Sequence, residues 1–416
     1  MLKKSNSIYT SKLILFLGCR FVSTVSEQLL LFAIPLLIFQ YTGEASKSGL
    51  AFLIEWLPAV LLLPFIGVLV DTYKEKKLYI IGDSLRALVS ISGFLLLIYM
   101  PSQTFIILSV AASLFAILNS LNFVTLETTI GRNFDNNDIP RIQSLIQGLE
   151  LSSQVMGPAL ASILVLFIKE MDFLIITGIA FAMTGFGVLG LPNKAKNLVV
   201  RETKSIKRVL GTIGDGFKFI AKNFFLRLLV LATMLINLVM GTVMALNPAV
   251  AQGVLGATSR EYSLLAMFGG ITGSIVVLLI PVFLKKSKSI NNIGIASIVL
   301  LTLSGVILGI ANQFYIYVIG YALLVCGIGI FNVFLRTERV KLIPKHHLGK
   351  SMGTIVFFNR LSLPLAGLIT STFTKITGPQ EVILGVSIFW IIVNSTIFTY
   401  YFYNKRHAAQ KDVLEL

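Results

Sequence analysis

The feature that most constrains this chain is a nearly unbroken succession of long apolar segments along its 416 residues. A helix needs roughly 20 apolar residues to cross a bilayer, because it rises only about 1.5 Å per residue. Lipid offers no partner to backbone N–H and C=O groups, so such segments predict a helical bundle. Twelve of them lie between polar breaks, near 13–40, 48–70, 78–100, 103–127, 142–168, 172–192, 224–251, 261–284, 290–311, 313–335, 350–375 and 380–403.

Composition excludes a soluble protein. Hydrophobic residues form 55% of the chain and charged residues 13%, whereas a typical soluble domain is about 25% charged. The first apolar segment is followed directly by others, which predicts a membrane span rather than a cleaved signal peptide. The two cysteines, Cys19 and Cys326, lie in apolar segments and indicate neither a disulfide framework nor a metal site.

Positive charge is distributed unevenly between the two sets of loops that twelve spans create. With both termini in the cytoplasm, 28 Lys and Arg lie on the cytoplasmic side and 4 on the other side. The remaining three, Arg20, Arg86 and Arg360, lie within spans. Cytoplasmic loops of membrane proteins carry such an excess. The net charge of +16 therefore predicts cytoplasmic termini rather than binding to nucleic acid.

The longest polar interruption, 193–223, divides the chain into halves of six spans, 1–192 and 224–416. Apolar residues recur at helical spacing within it, with basic residues between them. This pattern predicts an amphipathic helix on the cytoplasmic membrane surface, and a regulatory docking segment is the alternative. The apolar positions are Ile206, Val209, Leu210, Ile213 and Phe217.

The loop between the second and third spans reads GVLVDTYKEKK. It resembles the signature loop of the major facilitator superfamily, which is Gly-x-Leu-x-Asp followed by a basic cluster. The small glycine is expected to permit close helix contact, the aspartate to accept hydrogen bonds, and the lysines to hold the loop at the anionic leaflet. Thr72 departs from the motif, since Arg is usual there. The matching residues are Gly67, Leu69, Asp71, Lys76 and Lys77.

Two further stretches resemble branches of this superfamily. Gly157–Pro158 in the fifth span is similar to the Gly-Pro motif of its drug and proton antiporters, and frees a backbone carbonyl at a helix kink. The stretch 20–52 resembles the macrolide-efflux and enterobactin-exporter branch. The superfamily's arginine in the fourth span has no counterpart, because 103–127 contains no Arg.

The resemblance implies an all-α membrane protein with two pseudo-symmetric six-helix bundles, that is, the major facilitator fold. It implies residence in a bacterial inner (plasma) membrane, and it places the first, fourth, seventh and tenth spans around a central cavity. We expect a monomer whose partners are a small-molecule substrate, protons and the lipid bilayer.

Ionisable side chains inside spans are costly and indicate function. Glu27 is our first choice for a proton-coupling carboxylate because it lies near mid-span, about 10 Å along the helix axis from Arg20. Glu55 and Glu150 are the next candidates. We expect Asp83, Arg86 and Glu127, near the cytoplasmic ends, to act with the signature loop in gating; Asp83 and Arg86 are spaced to pair on one helix face.

Polar residues of several spans are candidates for lining the substrate cavity, although each is equally able to bond to another helix. Trp56 lies beside Glu55 and favours contact with substrate cations. The cavity candidates are Arg20, Glu27, Trp56, Asn119, Asn122, Asn237, Tyr321, Asn332 and Arg360.

These features predict a secondary active exporter of amphipathic small molecules, coupled to protons. The chain has no nucleotide-binding GxxxxGK[ST] loop, and its three histidines fall in loops or the tail, so we expect no enzyme, cofactor or metal. Glu27 and Glu55 favour cationic drugs as substrates, whereas Arg20 and Arg360 favour anionic siderophores. A lipid flippase is a third alternative, and a receptor is a fourth.

Overall fold

The protein was analysed as a computed structural model that describes residues 11–133, 139–190, 206–287, 290–343 and 348–414. These residues form α-helices with short connections and contain no strand. The helices are α1 Ser11–Thr42, α2 Ala45–Thr72, α3 Glu75–Tyr99, α4 Thr104–Asn133, α5 Ile139–Leu164, α6 Phe173–Thr184, α7 Ile206–Lys222, α8 Phe224–Pro248, α9 Ser259–Ser287, α10 Ile290–Ile310, α11 Phe314–Leu342, α12 Leu348–Phe373 and α13 Pro379–Leu414.

Ten helical segments in the described part of the chain are long and apolar enough to cross a membrane. Two more helices, α5 and α9, have the length of a span but are not among those ten. The all-α membrane fold predicted from the sequence is confirmed. The predicted count of twelve spans is consistent with α1–α6 and α8–α13.

Some helix ends differ from the predicted boundaries because the helix changes type rather than ending. After Thr184, α6 continues as a 3₁₀ turn over Gly185–Gly190. After Pro248, α8 continues as a π-helical turn over Ala249–Val254. Proline cannot supply the N–H that a regular helix requires, which explains the change in hydrogen bonding near Pro248.

Two glycines with positive φ end equivalent helices of the two halves. Gly43 (φ 64°) follows α1, and Gly256 (φ 67°) follows the π turn of α8. Only glycine adopts this left-handed backbone without strain, so each marks a sharp turn before the next span. They are 213 residues apart, as are Pro35 in α1 and Pro248 in α8. This equal spacing relates α1 to α8.

The two groups of six long helices meet along α2 with α12 and along α5 with α9. Small residues make these approaches possible. A Cβ atom on Gly367 of α12 would lie 2.5 Å from the backbone nitrogen of Leu53 in α2, and one on Gly49 would meet Thr370. Glycine at these positions lets the helix backbones touch.

Clusters of buried apolar residues are arranged differently at the two ends of the bundle. One large cluster joins α1, through Phe32 and Leu36, to α8 and the π turn, through Leu246 and Val250. A second cluster, near the first residues of α1, stays within α1–α6 and the 3₁₀ turn after them. A third lies within α7, α8, α12 and the residue after α11. The halves are therefore packed together most closely around the later turns of α1.

The predicted interspan helix is present as α7, which packs against α8 and α12. Ile220 is buried with Leu226 and Ile355, and the ring of Phe217 lies 5.8 Å from that of Phe358. The side chains of Ile206, Val209, Leu210 and Ile213 lie outside the described set. The division of the chain at 193–223 stays a prediction.

Candidate functional site

Glu27 on α1 forms the centre of a polar network inside the first six helices. Its Oε1 accepts a hydrogen bond of 2.5 Å from the amide of Asn119 on α4. Its Oε2 lies 3.9 Å from Nη1 of Arg86 on α3. Arg86 also donates from Nη2 to the Asn119 carbonyl at 3.0 Å. Three helices therefore hold one carboxylate through a closed triangle of contacts.

Arg86 has a second carboxylate partner on its own helix. Its Nη1 lies 3.4 Å from Oδ1 of Asp83, one turn earlier on α3. Asn122 donates to the same oxygen at 2.6 Å, and both Asp83 and Arg86 are fully buried. The guanidinium lies 5.3 Å from the centre of the Phe181 ring. Pairing with each other, and one hydrogen bond between each of them and an asparagine, offset part of the cost of burying these two charges.

Arg20 pairs with Glu150 rather than with Glu27. Arg20 donates from Nη2 to Oε1 of Glu150 on α5 at 3.2 Å. One turn along, the hydroxyls of Thr24 and Ser153 are 2.7 Å apart. Arg20 and Glu27 nevertheless line the same lobe of the cavity.

Arg360 on α12 extends from the second group of helices into this polar cavity. It donates to the hydroxyl of Ser120 on α4 at 3.1 Å, and its guanidinium lies 5.8 Å from the ring centre of Phe123. No carboxylate of the described residues lies within 4.0 Å of it. The polar lobe encloses about 180 Å³ and is also lined by Arg20, Glu27, Gln28, Asn119, Glu150 and Gln154.

A larger and mainly apolar lobe of about 400 Å³ lies between the two groups of helices. Glu55 also lines a small adjoining lobe together with Glu27 and Arg86. Trp56 lines all three lobes, so it stands where they meet. The walls of the large lobe include Phe32, Phe52, Glu55, Trp56, Pro158, Met240, Met244, Tyr262, Tyr321 and Leu363.

A polar contact joins the two groups of helices at the end of the bundle where α1 meets α2. Gln40, near the end of α1, donates to the carboxylate of Glu170 at 3.3 Å and to the hydroxyl of Ser259 at 3.0 Å. Gln252 in the π turn donates to the same hydroxyl at 3.2 Å. We call this set Gln40, Glu170, Gln252 and Ser259 the polar latch.

The structure separates the predicted site residues into groups. Arg20, Glu27, Trp56, Asn119 and Arg360 line the polar lobe, as does Glu150, and Tyr321 lines the large lobe. Pro158 lines the large lobe as well, and Gly157 packs against Gln28 of α1. Three predicted cavity residues line none of these lobes: Asn122, which binds Asp83, and the half-buried Asn237 and Asn332.

Neither the described signature-loop residues nor Glu127 lines a lobe of the cavity. Glu127 is exposed, Lys77 is exposed and Lys76 is half-buried. The side chain of Asp71 is outside the described set. No described atom lies within 4 Å of a Cβ built on Gly67, so the close helix contact expected there is not found in the described part of the chain.

Two aromatic residues of the second group of helices, Tyr262 and Tyr317, were not predicted from the sequence. The hydroxyl of Tyr317 donates to Asn247 at 2.7 Å, and Tyr262 stacks on Phe32 with ring centres 5.1 Å apart. Tyr317 and Tyr321 are four residues apart and so share one face of α11. This spacing was the sequence feature from which Tyr317 could have been predicted together with Tyr321. No group of three or more His, Cys, Asp and Glu able to hold a metal ion occurs in the residues described.

Comparison with known proteins places this geometry in a family. A sequence model of the Major Facilitator Superfamily matches residues 16–367. Macrolide efflux protein A of Streptococcus pyogenes is 21% identical over 381 residues, which cover 90% of each chain.

Two solved structures share the fold. A mutant of the nucleoside transporter NupG aligns with a TM-score of 0.75 at 16% identity, covering 94% of this chain and 99% of that one. A bacterial homologue of the iron transporter ferroportin, in an inward-facing state, aligns with a TM-score of 0.71 at 14% identity, covering 93% and 98%. With the family model matched over most of its length, this multi-pass membrane protein is a transporter that belongs to the major facilitator superfamily.

Proposed function

We propose that this protein exports amphipathic, drug-like small molecules across the bacterial inner membrane in exchange for protons. The observation that carries the proposal is a cavity between the two groups of helices. In it the polar lobe, with its network of charged side chains, adjoins the large apolar lobe. Apolar walls with a few polar groups are typical of small-molecule sites. The similarity to a macrolide efflux protein supports export rather than uptake.

Transport proceeds by alternating access, in which the two halves rock around the central cavity. The polar latch and the large apolar cluster hold the halves together at the end where α1 meets α2. The excess of Lys and Arg in the other set of loops assigns the latch to the outer face. The described conformation is therefore one closed to the outside, from which substrate binds on the cytoplasmic side.

Proton coupling runs through the Glu27–Arg86–Asn119 triangle. Protonating Glu27 removes one of the two negative partners of Arg86. The electrostatic attraction between α3 and α1 then weakens. The predicted fourth span, 103–127, contains no Arg, and the cation that contacts Glu27 in the described residues is Arg86 of α3. Glu150 is held in the same way by Arg20.

The test uses inside-out membrane vesicles with ethidium, a fluorescent amphiphile, in the external solution. An imposed inward-acid pH gradient is expected to drive ethidium uptake into vesicles that contain the protein, and collapse of the gradient with nigericin is expected to reverse it. Vesicles without the protein supply the baseline. Uptake that is unchanged by nigericin would contradict proton antiport.

A second candidate is export of an anionic siderophore. It is favoured by Arg360, whose guanidinium faces the polar lobe with no described carboxylate within 4.0 Å. An anion bound there would lie between Arg360 and Arg20. Binding of an anionic catechol probe to the purified protein, lost in Arg360→Gln, would select this candidate over the first.

A further inference from the structure

Glu55 is a buried carboxylate with no partner in the described part of the protein. It lies on α2, its side chain is 8% exposed, and it lines both the large lobe and the small adjoining lobe. No hydrogen bond or ion pair joins it to another described residue. The other carboxylates of the cavity, Glu27 and Glu150, each have an arginine within 4.0 Å.

Charge balance sets Glu55 apart from the rest of the site. Three arginines lie in the network and its polar lobe, namely Arg20, Arg86 and Arg360. Three carboxylates, Glu27, Asp83 and Glu150, balance them. An ionised Glu55 is therefore one negative charge in excess, and a buried excess charge is costly. It requires either a proton or an external cation.

The surroundings of Glu55 indicate which cation fits. Phe52 and Trp56 from its own helix, with ring centres 6.2 Å apart, face the lobe together with Met240 and Met244 of α8. Aromatic faces attract organic cations, and methionine adapts to irregular apolar shapes. A small inorganic cation would find one carboxylate and few oxygen ligands. An amine on an apolar body would have its charge paired by the carboxylate and its apolar body in contact with the aromatic and methionine side chains.

The indole of Trp56 adds a second polar requirement. Its Nε1 is buried and has no acceptor among the described residues. A buried N–H without an acceptor is costly, and a ligand oxygen would relieve that cost. The lobe therefore matches a molecule with an ammonium group for Glu55, an oxygen acceptor for Trp56 and an apolar body.

We propose that Glu55 is the substrate-cation site, at which a proton and the ammonium group of an oxygen-bearing organic amine bind in alternation. One positive charge replaces another, because the proton leaves the Glu55 carboxyl as the ammonium arrives. The carboxyl group together with the cation bound to it is neutral in both states. This rests on the proposed export function and separates two tasks, with Glu27 biasing the helices and Glu55 holding the cargo.

Other titratable groups near Glu55 are already paired or remain neutral. From the elements packed around the lobes these are Glu27 of α1, Arg86 of α3, Tyr262 of α9 and Tyr321 of α11. Arg360 of α12 lines the neighbouring polar lobe. The lining residues of α4 and α8 include no ionisable side chain in these lobes. Among the described groups of these lobes Glu55 is the carboxylate without an arginine partner, so we assign the pH-dependent affinity for a cation to it. Loss of that dependence in Glu55→Gln separates its contribution from that of Glu27.

The test measures binding of tetraphenylphosphonium, a permanent organic cation, to the detergent-purified protein. In weakly buffered solution its binding is expected to release about one proton per cation, and affinity should fall as the pH is lowered because protons compete. Glu55→Gln should weaken binding by more than about tenfold and abolish proton release. The neutral amphiphile N-phenyl-1-naphthylamine should bind wild type and Glu55→Gln alike.

Glu44→Gln is the matched control, since Glu44 is an exposed carboxylate just before α2. It should bind tetraphenylphosphonium and release protons as wild type does. Wild-type cation affinity and proton release in a monodisperse Glu55→Gln protein would overturn the proposal.

A second measurement on the wild-type protein covers the case in which Glu55→Gln does not fold. Dicyclohexylcarbodiimide reacts with protonated carboxyls in apolar surroundings, and mass spectrometry locates the adduct. We expect an adduct on Glu55 that tetraphenylphosphonium suppresses. No adduct on Glu55, or one that the cation leaves unchanged, would refute the assignment.

The two proposals fail in different experiments. If vesicles show no pH-driven ethidium uptake while tetraphenylphosphonium still displaces a proton from Glu55, the export proposal is wrong and the site stands. If uptake is normal but cation binding is independent of Glu55, the site is wrong and export stands.

Discussion

The buried carboxylates of this protein differ in how completely they are satisfied. Asp83 accepts a hydrogen bond from Asn122 and pairs with Arg86. Glu27 accepts a hydrogen bond from Asn119 and pairs with Arg86. Glu55 has neither a hydrogen bond nor an ion pair in the described part of the chain. In a low-dielectric interior a neighbouring arginine favours the charged form of a carboxylate, whereas a carboxylate without such a partner is neutralised by a proton or a ligand cation. The difference separates structural or coupling acids from the acid that holds cargo.

Glu27→Gln tests the coupling triangle at the level of one residue. Glutamine keeps the shape and one carbonyl acceptor but cannot be charged, so Arg86 retains only Asp83 as a negative partner. We expect the variant to fold and to bind ethidium, and to lose pH-driven uptake by at least about tenfold. Exchange of ethidium down its own gradient should continue.

The matched control is Glu381→Gln, an exposed carboxylate in the first turn of α13. It is expected to transport as wild type does. A Glu27→Gln protein that builds a normal ethidium gradient under an imposed pH difference would show that Glu27 is not the coupling site.

Among the helices, small residues decide how closely the two halves meet. α2 and α12 touch at Gly49 and Gly367, and α5 lies against α9 at Gly270. In lipid no hydrophobic force drives helices together, so van der Waals contact between backbones carries much of the association. These contacts, together with the polar latch, define the conformation closed at one end.

Gly367→Ala tests the α2–α12 contact. The added Cβ would lie 2.5 Å from the Leu53 backbone nitrogen, so the helices must separate. We expect a loss of about 1–3 kcal/mol of stability, measured as a lower Tm of the purified protein.

Gly385→Ala in α13 is the control because no atom lies within 4 Å of its added Cβ and the site is exposed. Alanine favours a helix over glycine by about 1 kcal/mol, so its Tm should be unchanged or higher. Equal Tm values for the two variants would mean that the α2–α12 contact does not limit stability.

For the whole molecule, orientation is the property on which the transport direction depends. The 28-to-4 charge asymmetry predicts that both termini and 193–223 are cytoplasmic. We replace Cys19 and Cys326 first and then introduce Ser205→Cys. In intact cells this cysteine should react with a membrane-permeant maleimide and not with an impermeant one.

A cysteine at Lys47, in place of one of the few basic residues assigned to the outer loops, supplies the opposite control. It should react with the impermeant reagent. If the reactivities of the two positions are exchanged, the protein is inverted, and the polar latch then closes the cytoplasmic end.

Hydropathy in the sequence determined the helices and their approximate ends, and the resemblance of the signature loop indicated the family, because these depend on residues close together along the chain. Arg20 and Glu150 are 130 residues apart, and nothing local indicates that they pair. Which arginine meets which carboxylate depends on how each helix is rotated, and that rotation is decided by glycine contacts between distant helices. Only the tertiary structure therefore decided that Glu27 is held by Arg86 and that Glu55 faces the cavity with no described partner.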